Sequence, residues 1–442
     1  MNYELRVKNA FIGQFQDGKF SPVFGNLIIK NGQIKEIQKK SFQKYLSESH
    51  SKKKEIPLKS SNMNEYDANG RIILPPFANF HEHIYSRLAK GLPVSGKMDN
   101  FLNILKNLWW KLDKSLFPEA IKISAEITAI EAIKNGVGTI FDHHSSPNCI
   151  SGSLNIIKNV LKKRGLRAVL SYEVSDRNGL ENMKESVQEN LKFFKNEQEE
   201  NFKAQFGLHA LFTLSDATLK HIKEETKGLE IGFHIHSAED LYDVKFNQEK
   251  YGLSLLNRMA KFHLLNDKTF LAHGNHLPKS DYPLLKKYDV ALIHNPDSNF
   301  NNAVGTLNIS NLSKNMNLVL GTDGMHSDIL KTMKMAFLTV RHQNQNSEIG
   351  FEIIENILQN NFKIQKRFFK NVSQLNIGDK ANFIVLDYMP YTLLNSDNFI
   401  SHFIYGICES DVKTMYQNGK FLMKDFVIDE EARIYKKAVK IA

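Results

Sequence analysis

The sequence predicts an α/β protein in which a (β/α)8 TIM-like barrel is inserted into a small β-domain formed by both ends of the chain. Two observations predict this fold. Eight apolar, strand-forming runs alternate with helical patterns through the middle of the chain, and short strands with turn signals flank that section. We therefore expect a first β segment over residues 1–70, the barrel over 71–370 and a second β segment over 371–442.

The middle section of the chain contains eight apolar runs that are separated by helical patterns. Strands that alternate with amphipathic helices, such as those at residues 119–134 and 185–194, are typical of βαβ units and a parallel sheet. Eight such repeats favour a closed barrel. The runs cover residues 72–83, 136–144, 167–174, 202–209, 230–236, 268–273, 290–294 and 317–323.

The two ends of the chain have a different pattern. Residues 5–12 and 25–37 alternate between apolar and polar side chains, and the pairs Asp17-Gly18 and Asn31-Gly32 are typical of hairpin turns. Residues 381–387 predict another strand, and residues 412–423 predict a hairpin around Asn418-Gly419. We expect these segments to form one β-domain.

The last residues of the eight runs indicate where a functional site lies. Nearly every run ends in or beside an ionisable residue, and barrels of this kind carry their active sites at the carboxyl ends of the strands. Histidines at strand ends often serve only to hydrogen-bond backbone groups. This role could explain one or two of these residues, but it does not explain six histidines. The residues are His83, His144, Glu173, His209, His236, His273, His294 and Asp323.

A metal site is the first chemistry that these residues predict. His81 and His83 are two apart on a predicted strand, so their side chains point the same way. With His236 and Asp323 they supply three imidazoles and one carboxylate, a donor set that suits Zn²⁺ and also Fe²⁺. Such a metal lowers the pKa of a bound water from 15.7 to about 7.

Proton transfer needs further groups, and three residues are candidates. Glu239 follows His236 by three residues, so its carboxyl can lean back over the metal and protonate a ring nitrogen or a departing amine. His273 is placed to hydrogen-bond and polarise the water. Asp323 can both bind the metal and take a proton from the water.

Together these motifs resemble the amidohydrolase superfamily, in its cytosine/guanine deaminase and chlorohydrolase branch. A closer resemblance, to SsnA-type aminohydrolases, rests on residues 107–113, 141–144 and 172–177. The superfamily motifs are His81-x-His83, His236-x-x-Glu239, Ala272-His273, His294-Asn295-Pro296, Gly321-Thr322-Asp323-Gly324 and the segment at residues 378–387.

The resemblance implies a composite β-sandwich beside the barrel. It also implies a single divalent metal, Zn²⁺ or Fe²⁺, whose bound hydroxide attacks a C–N bond and releases ammonia from an aminated nitrogen heterocycle. His209 stands where binuclear members carry a bridging lysine, which favours one metal and makes His209 a candidate substrate contact. Alternatives are hydrolysis of an amide, a lactam or a carbon–halogen bond at the same site, and a catalytically silent metal-binding scaffold.

Five further residues are weaker candidates for substrate contacts. Trp109 could stack on a flat ring, with packing in the core as the alternative, and Arg87 could grip a carboxylate or lie on a solvated helix face. Glu173 could instead form an ion pair with Arg177 near the rim. The five are Trp109, Arg87, His144, Glu173 and His294.

Composition argues against other classes of protein. The formal charge is +10, but the basic residues are spread along the chain, and the run at residues 52–54 is interpreted as a solvated loop, so no nucleic-acid partner is expected. No stretch of 18 apolar residues predicts a membrane span. With two cysteines far apart, we expect a cytoplasmic protein with a small-molecule substrate, and relatives suggest a homodimer.

Overall fold

The computed structural model describes residues 4–51, 65–197, 199–312, 314 and 316–441. The basic run at residues 52–54 lies outside the described residues. The chain divides into two compact units. The smaller comprises residues 1–77, 133–138 and 370–429, and the larger comprises residues 78–132, 139–369 and 430–442.

Most strands follow the predicted runs, but the fourth run, residues 202–209, divides into two strands, Phe202–Ala204 and Phe206–Ala210, which belong to different sheets. In chain order the strands are β1 Glu4–Gln16, β2 Lys19–Lys30, β3 Gln33–Lys39, β4 Glu65–Asp67, β5 Ile72–Leu74, β6 Phe77–Glu82, β7 Val137–His144, β8 Arg167–Tyr172, β9 Phe202–Ala204, β10 Phe206–Ala210, β11 Phe233–Ser237, β12 Phe270–His273, β13 Ala291–His294, β14 Asn317–Leu320, β15 Phe383–Leu386, β16 Val412–Gln417 and β17 Lys420–Met423.

Helices fill most of the connections. They are α1 Phe42–Ser51, α2 Phe101–Ile104, α3 Trp110–Leu112, α4 Pro118–Lys134, α5 Ser153–Arg164, α6 Leu180–Asn196, α7 Asp216–Glu225, α8 Leu241–Tyr251, α9 Leu255–Lys261, α10 Tyr282–Lys287, α11 Pro296–Asn301, α12 Ile329–Asn344, α13 Phe351–Gln365, α14 Phe399–Tyr405 and α15 Glu431–Ile441. Among the described residues, no helix has the length and apolar character needed to cross a membrane.

Strands from both ends of the chain form one eight-stranded sheet in the smaller unit. Its order is β17-β16-β15-β5-β1-β2-β3, with β4 paired to β1. The predicted hairpin turns are present: Asp17 and Asn31 have φ values of 48° and 53°, and each precedes a glycine with positive φ. Such turns match the twist of the strands that they join.

The larger unit contains two sheets. One has the order β6-β7-β8-β9, with β7, β8 and β9 parallel, and the other is the parallel sheet β10-β11-β12-β13-β14. Two isolated parallel bridges join them, between Glu82 and Asp323 and between Val174 and Leu208. The first bridge connects the end of β6 with the residues after β14, and the second connects the residues after β8 with β10.

The predicted first run, residues 72–83, is not one strand. It divides at Pro75-Pro76 into β5, which pairs with β1 and β15, and β6, which belongs to the second sheet. Proline has no backbone N–H and cannot donate to a sheet, so two consecutive prolines end the pairing. The uninterrupted apolar character of the run concealed this break.

Aromatic packing beneath the site fixes the relative positions of its strands. Phe80, Phe141 and Phe270 come from β6, β7 and β12 and are fully buried. Their ring centroids lie 4.9 Å apart for Phe80–Phe141 and 5.1 Å apart for Phe141–Phe270. Burying a side chain of this size stabilises the fold by roughly 1.5–3 kcal/mol.

Candidate metal and proton-transfer site

Four of the residues expected to bind a metal come together at one point. Their donor atoms all lie within 4.8 Å of one another, and each residue is buried. The Nε2 atom of His83 lies 3.0 Å from Nε2 of His236 and 3.0 Å from Oδ1 of Asp323. The fourth member is His81, whose Nε2 atom lies 3.5 Å from Oδ1 of Asp323.

The local backbone explains this convergence. His81 is in β6 and His83 directly follows it, so the alternation of side chains points both rings to one side. The backbone N–H of Asp323 donates to the carbonyl of His81 at 2.9 Å, which ties the end of β14 to β6. Gly321 permits this approach, since a Cβ atom there would lie 2.9 Å from the backbone nitrogen of His81.

The donor set and its spacing fit a tetrahedral cation. Zinc bonds of about 2.0–2.1 Å at tetrahedral angles place neighbouring donor atoms about 3.3–3.4 Å apart. Three of the six donor–donor separations are 3.0–3.5 Å, close to this value, and all six are within 4.8 Å. The Nε2 atom of His81 is buried without a hydrogen-bond partner, so a ligand is needed to satisfy it.

Backbone carbonyls orient two of the rings. The Nδ1 atom of His83 lies 2.6 Å from the carbonyl oxygen of His143, and Nδ1 of His236 lies 2.8 Å from that of His209. A carbonyl only accepts hydrogen bonds, so each ring carries a proton on Nδ1, and Nε2 is the nitrogen that faces the other candidate ligands.

A second grouping of possible ligands comprises His83, His143, Glu173 and His236. It shares His83 and His236 with the first grouping, and the Nε2 atoms of both rings already face the first grouping. Glu173 contacts Nδ1 of His143 at 3.3 Å instead. Since one imidazole nitrogen binds one cation, these two groupings favour a single cation. A third grouping, Glu239, His273 and Asp323, shares Asp323 with the first.

The charges at the centre are strongly coupled. Burial lowers the pKa of His81 to about 3 and lowers that of His236 well below its ordinary value. Burial also opposes the charged forms of His83 and Asp323, but their mutual attraction outweighs it, raising the pKa of His83 to about 9 and holding that of Asp323 well below its usual range. An anionic carboxylate thus faces the histidines, as a cation site requires.

The expected proton-transfer residues lie beside the four candidate ligands. The Nε2 atom of His273 is 3.7 Å from Oε2 of Glu239 and 3.9 Å from Oδ2 of Asp323. Burial raises the pKa of Glu239 to about 7, with nearby His273 opposing the shift. The Ser298 hydroxyl donates to Oδ2 of Asp323 at 2.5 Å, so Oδ1 is the oxygen that faces His83.

A cleft of about 670 Å³, including the open solvent at its mouth, leads to these residues. Three of the weaker candidates, Trp109, Glu173 and His209, line it. Its wall also contains groups to which the sequence analysis gave no role at the site. These include Tyr85, Phe101, Asp113, Phe212 and Asn302.

Asp113 and Arg177 form a buried ion pair in this wall. The Arg177 guanidinium bonds to Oδ2 of Asp113 and lies 5.3 Å from the ring centroid of Trp110. Glu173 was a predicted alternative partner of Arg177, but the carboxylate bonded to Arg177 is Asp113. Asp113 lies in the segment that resembles SsnA-type proteins, which is the one signal that could have identified it.

Three other candidates do not line the cleft. Arg87 is 3% exposed and is paired with Glu82 and Glu131, so its charge is used within the fold. His144 is buried and bonded to the Ser146 hydroxyl at 2.9 Å. His294 is also fully buried.

Comparison with known proteins gives consistent results. One relative is a 5-methylthioadenosine/S-adenosylhomocysteine deaminase of Thermococcus sibiricus, 29% identical over 81% of this chain and 84% of that protein. Another is a 5'-deoxyadenosine deaminase of Methanobrevibacter smithii, 27% identical over 99% of this chain and 97% of that protein. A zinc-bound adenosine deaminase structure from Xanthomonas campestris superposes with a TM-score of 0.81 at 16% identity, covering 99% of this chain and 97% of that one.

The family model of the amidohydrolases matches residues 72–422, from β5 to β17. This span covers the whole candidate site and most of the chain. The resemblance found in the sequence motifs is confirmed: the chain belongs to the amidohydrolase family.

Proposed function

We propose that this protein is a metal-dependent aminohydrolase that releases ammonia from an aminated nitrogen heterocycle. The convergence of three imidazoles and one carboxylate at the base of a cleft carries the proposal. The reaction class predicted from the sequence, hydrolysis of a C–N bond, is confirmed by the family and by relatives named as deaminases.

His81, His83, His236 and Asp323 would hold one divalent ion. Zinc is the proposed metal, because three imidazoles and a carboxylate suit it and a structural neighbour contains zinc; iron(II) accepts the same donor set. When bound, the ion supplies Lewis acidity that makes a water nucleophilic at neutral pH.

The chain's own residues would manage the protons. His273 and Asp323 face one another across 3.9 Å, so either can accept a proton from an attacking water. The raised pKa of Glu239 keeps a large fraction of this carboxyl protonated at neutral pH. Glu239 would donate its proton to the ring nitrogen beside the reacting carbon. The proton that the water had given to His273 or Asp323 would pass to the amino group, which would then leave as ammonia.

The walls of the cleft suit a flat, mostly apolar substrate. Phe101, Trp109, Trp110 and Phe212 supply aromatic surface, on which a heterocycle can stack. The two relatives named above act on adenine nucleosides by their names, so aminated purines and their nucleosides are the first substrates to test. His209 and Glu173 would contact the substrate nearer the metal.

We propose further that the two parallel sheets of the larger unit close into a (β/α)8 barrel. The bridges Glu82–Asp323 and Val174–Leu208 support this closure, because the first joins β6 to the residues after β14 and the second joins the residues after β8 to β10. A composite β-sandwich over residues 1–70 and 371–442, with the barrel over 71–370, remains our proposal for the domains.

The cytoplasmic location and the homodimer also stay predictions.

Ammonia release by the zinc-loaded protein tests the function. We would assay aminated purines, purine nucleosides, pterins, pyrimidines and triazines, with Asp323→Asn as control. Release from one ring class that is lost in the control supports the proposal and identifies the substrate class. No release, with one zinc bound per chain, would contradict the deaminase and favour hydrolysis of an amide, a lactam or a carbon–halogen bond.

A further inference from the structure

Three hydrogen bonds connect the backbone of Glu239 to the ring of His273 through two asparagine side chains. The Nδ2 atom of Asn275 donates to the carbonyl oxygen of Glu239 at 3.0 Å. The Nδ2 atom of Asn299 lies 2.8 Å from Oδ1 of Asn275. In the third hydrogen bond, Oδ1 of Asn299 lies 2.8 Å from Nδ1 of His273.

The donor and acceptor of each of these three hydrogen bonds follow from the first acceptor, the backbone carbonyl of Glu239. A backbone carbonyl cannot donate, so the Asn275 group beside it is the NH₂ and its oxygen faces Asn299. That oxygen accepts from the NH₂ of Asn299, which turns the Asn299 oxygen to His273. An amide oxygen also only accepts, so the proton between Asn299 and His273 belongs to Nδ1 of His273.

The consequence is a basic nitrogen directed at the site. With its proton on Nδ1, a neutral His273 has its lone pair on Nε2. This atom is buried without a hydrogen-bond partner and lies 3.7 Å from Glu239 Oε2 and 3.9 Å from Asp323 Oδ2. Had Nε2 carried the proton, the ring could not accept one from an attacking water.

The backbone supports the same arrangement. His273 has a φ of 77°, a left-handed conformation that is costly for a residue with a side chain and that persists where surrounding contacts impose it. Asn299 lies on α11, the helix whose Ser298 bonds to Asp323. Adjacent residues of one short helix therefore hold both candidate proton acceptors.

We propose that Asn275 and Asn299 are positioning residues that hold His273 as its Nδ1–H tautomer, so that Nε2 can accept a proton during the reaction. The inference deepens the proposed function and rests on it for the role of His273. The tautomer itself is a property of the resting protein and can be measured without a substrate.

Nuclear magnetic resonance of the zinc-loaded protein with ¹⁵N-labelled histidine tests the tautomer. The resonances of His273 are assigned by their loss in His273→Gln. We expect Nδ1 to have the chemical shift of a protonated nitrogen and Nε2 that of an unprotonated one. A spectrum with the proton on Nε2 in the wild-type protein overturns the proposal, and this reading needs no substitution of either asparagine.

Two substitutions of Asn299 separate positioning from general stability. Asn299→Leu has nearly the same size but no acceptor, so we expect the Nε2–H tautomer to appear and kcat to fall by at least about 100-fold with KM little changed. Asn299→Asp keeps an acceptor and should retain the wild-type tautomer and restore kcat to within about tenfold. Unchanged tautomer and kcat in Asn299→Leu would contradict the proposal.

Asn275→Leu provides an independent second variant. This variant keeps the Asn299 amide but removes the group that fixes its orientation, so the amide can flip by 180°. The loss of kcat in Asn275→Leu should therefore be smaller than in Asn299→Leu. An equal or larger loss without a change of tautomer would contradict the assigned direction of the bonds. If the wild-type protein turns over none of the tested compounds, the proposed function fails, while the spectrum still decides the tautomer.

Discussion

The Nδ1 atom of His81 is hydrogen-bonded to Nε2 of His234 at a distance of 2.9 Å. Both rings are fully buried, and they belong to β6 and β11. For His81 to bind a cation through Nε2, its proton must lie on Nδ1 and be donated to His234. His234 thus supports the site by orienting a ligand, although its own ring is not among the four that converge with Asp323.

We therefore expect His234→Leu to weaken zinc binding about 10- to 100-fold, because His81 loses the partner that fixes its ring and its tautomer. Competition with a fluorescent chelator measures the affinity. His221→Leu, at a partly exposed position on α7, serves as the matched control and should bind zinc like the wild type. Equal affinities in the two variants would remove His234 from the support of the site.

Glu239→Gln should lower kcat by about 100- to 10,000-fold while zinc stays bound, because glutamine fills the same space but cannot transfer a proton. Metal analysis and steady-state kinetics on the same samples separate the two effects. Glu230→Gln is the control, since the Glu230 side chain is 95% exposed. Full turnover by Glu239→Gln with zinc bound would show that another group supplies the proton.

We expect Asp243 to make the stability of the fold depend on pH. Burial raises the pKa of this carboxyl from 3.8 to about 7, against the opposing effect of the hydrogen bond from the Ala238 N–H. The folded chain then holds a proton that the unfolded chain has lost. The free energy of unfolding should therefore fall as pH rises from about 4 to 7, by up to about 4 kcal/mol for this group.

Asp243→Asn keeps an acceptor for the Ala238 N–H but cannot ionise, so part of that pH dependence should disappear. Urea unfolding at pH 5 and pH 8 with a chelator present measures it without the contribution of metal binding. If the variant loses as much stability as the wild type between these pH values, the carboxyl of Asp243 does not titrate in this range.

Arg87 is expected to stabilise the fold and not to select the substrate. Its guanidinium bonds to Glu82 and lies 2.9 Å from Glu131, so Arg87→Met leaves a buried carboxylate unpaired at a cost of about 3–5 kcal/mol. Lys90→Met removes the exposed partner of the same Glu131 and should cost less than about 1 kcal/mol. Similar unfolding free energies for the two variants would contradict this role.

Local sequence carries much of the fold because strand and turn signals are short-range. The Asp17-Gly18, Asn31-Gly32 and Asn418-Gly419 pairs predict turns through backbone preferences that need no tertiary partner. The break at Pro75-Pro76 was missed because apolar residues continue on both sides of it, and only the pairing partners of β5 and β6 separate the two strands.

Some residues of the candidate site could also be named from the sequence, whereas the roles of others could be seen only in the structure. His81, His83, His236, Glu239, His273 and Asp323 could be named from spacing and position at strand ends, since parallel strands bring their carboxyl ends together. The roles of Arg87 and Asp113 could not, because an ion pair is defined by contacts between residues 5 to 64 positions apart in the chain. Side-chain type alone does not indicate which charges are already paired.

The sequence by itself therefore determined the family, the reaction class and the set of candidate ligands, because these depend on residue types at fixed positions along strands. The tertiary structure decided which nitrogen of each histidine ring faces the candidate metal site and which arginine is already paired with carboxylates. It also decided which asparagines hydrogen-bond to His273 and to each other. Those properties depend on hydrogen bonds such as that between Asn299 and His273, 26 residues apart, and a hydrogen bond forms only where folding brings a donor within about 3 Å of an acceptor.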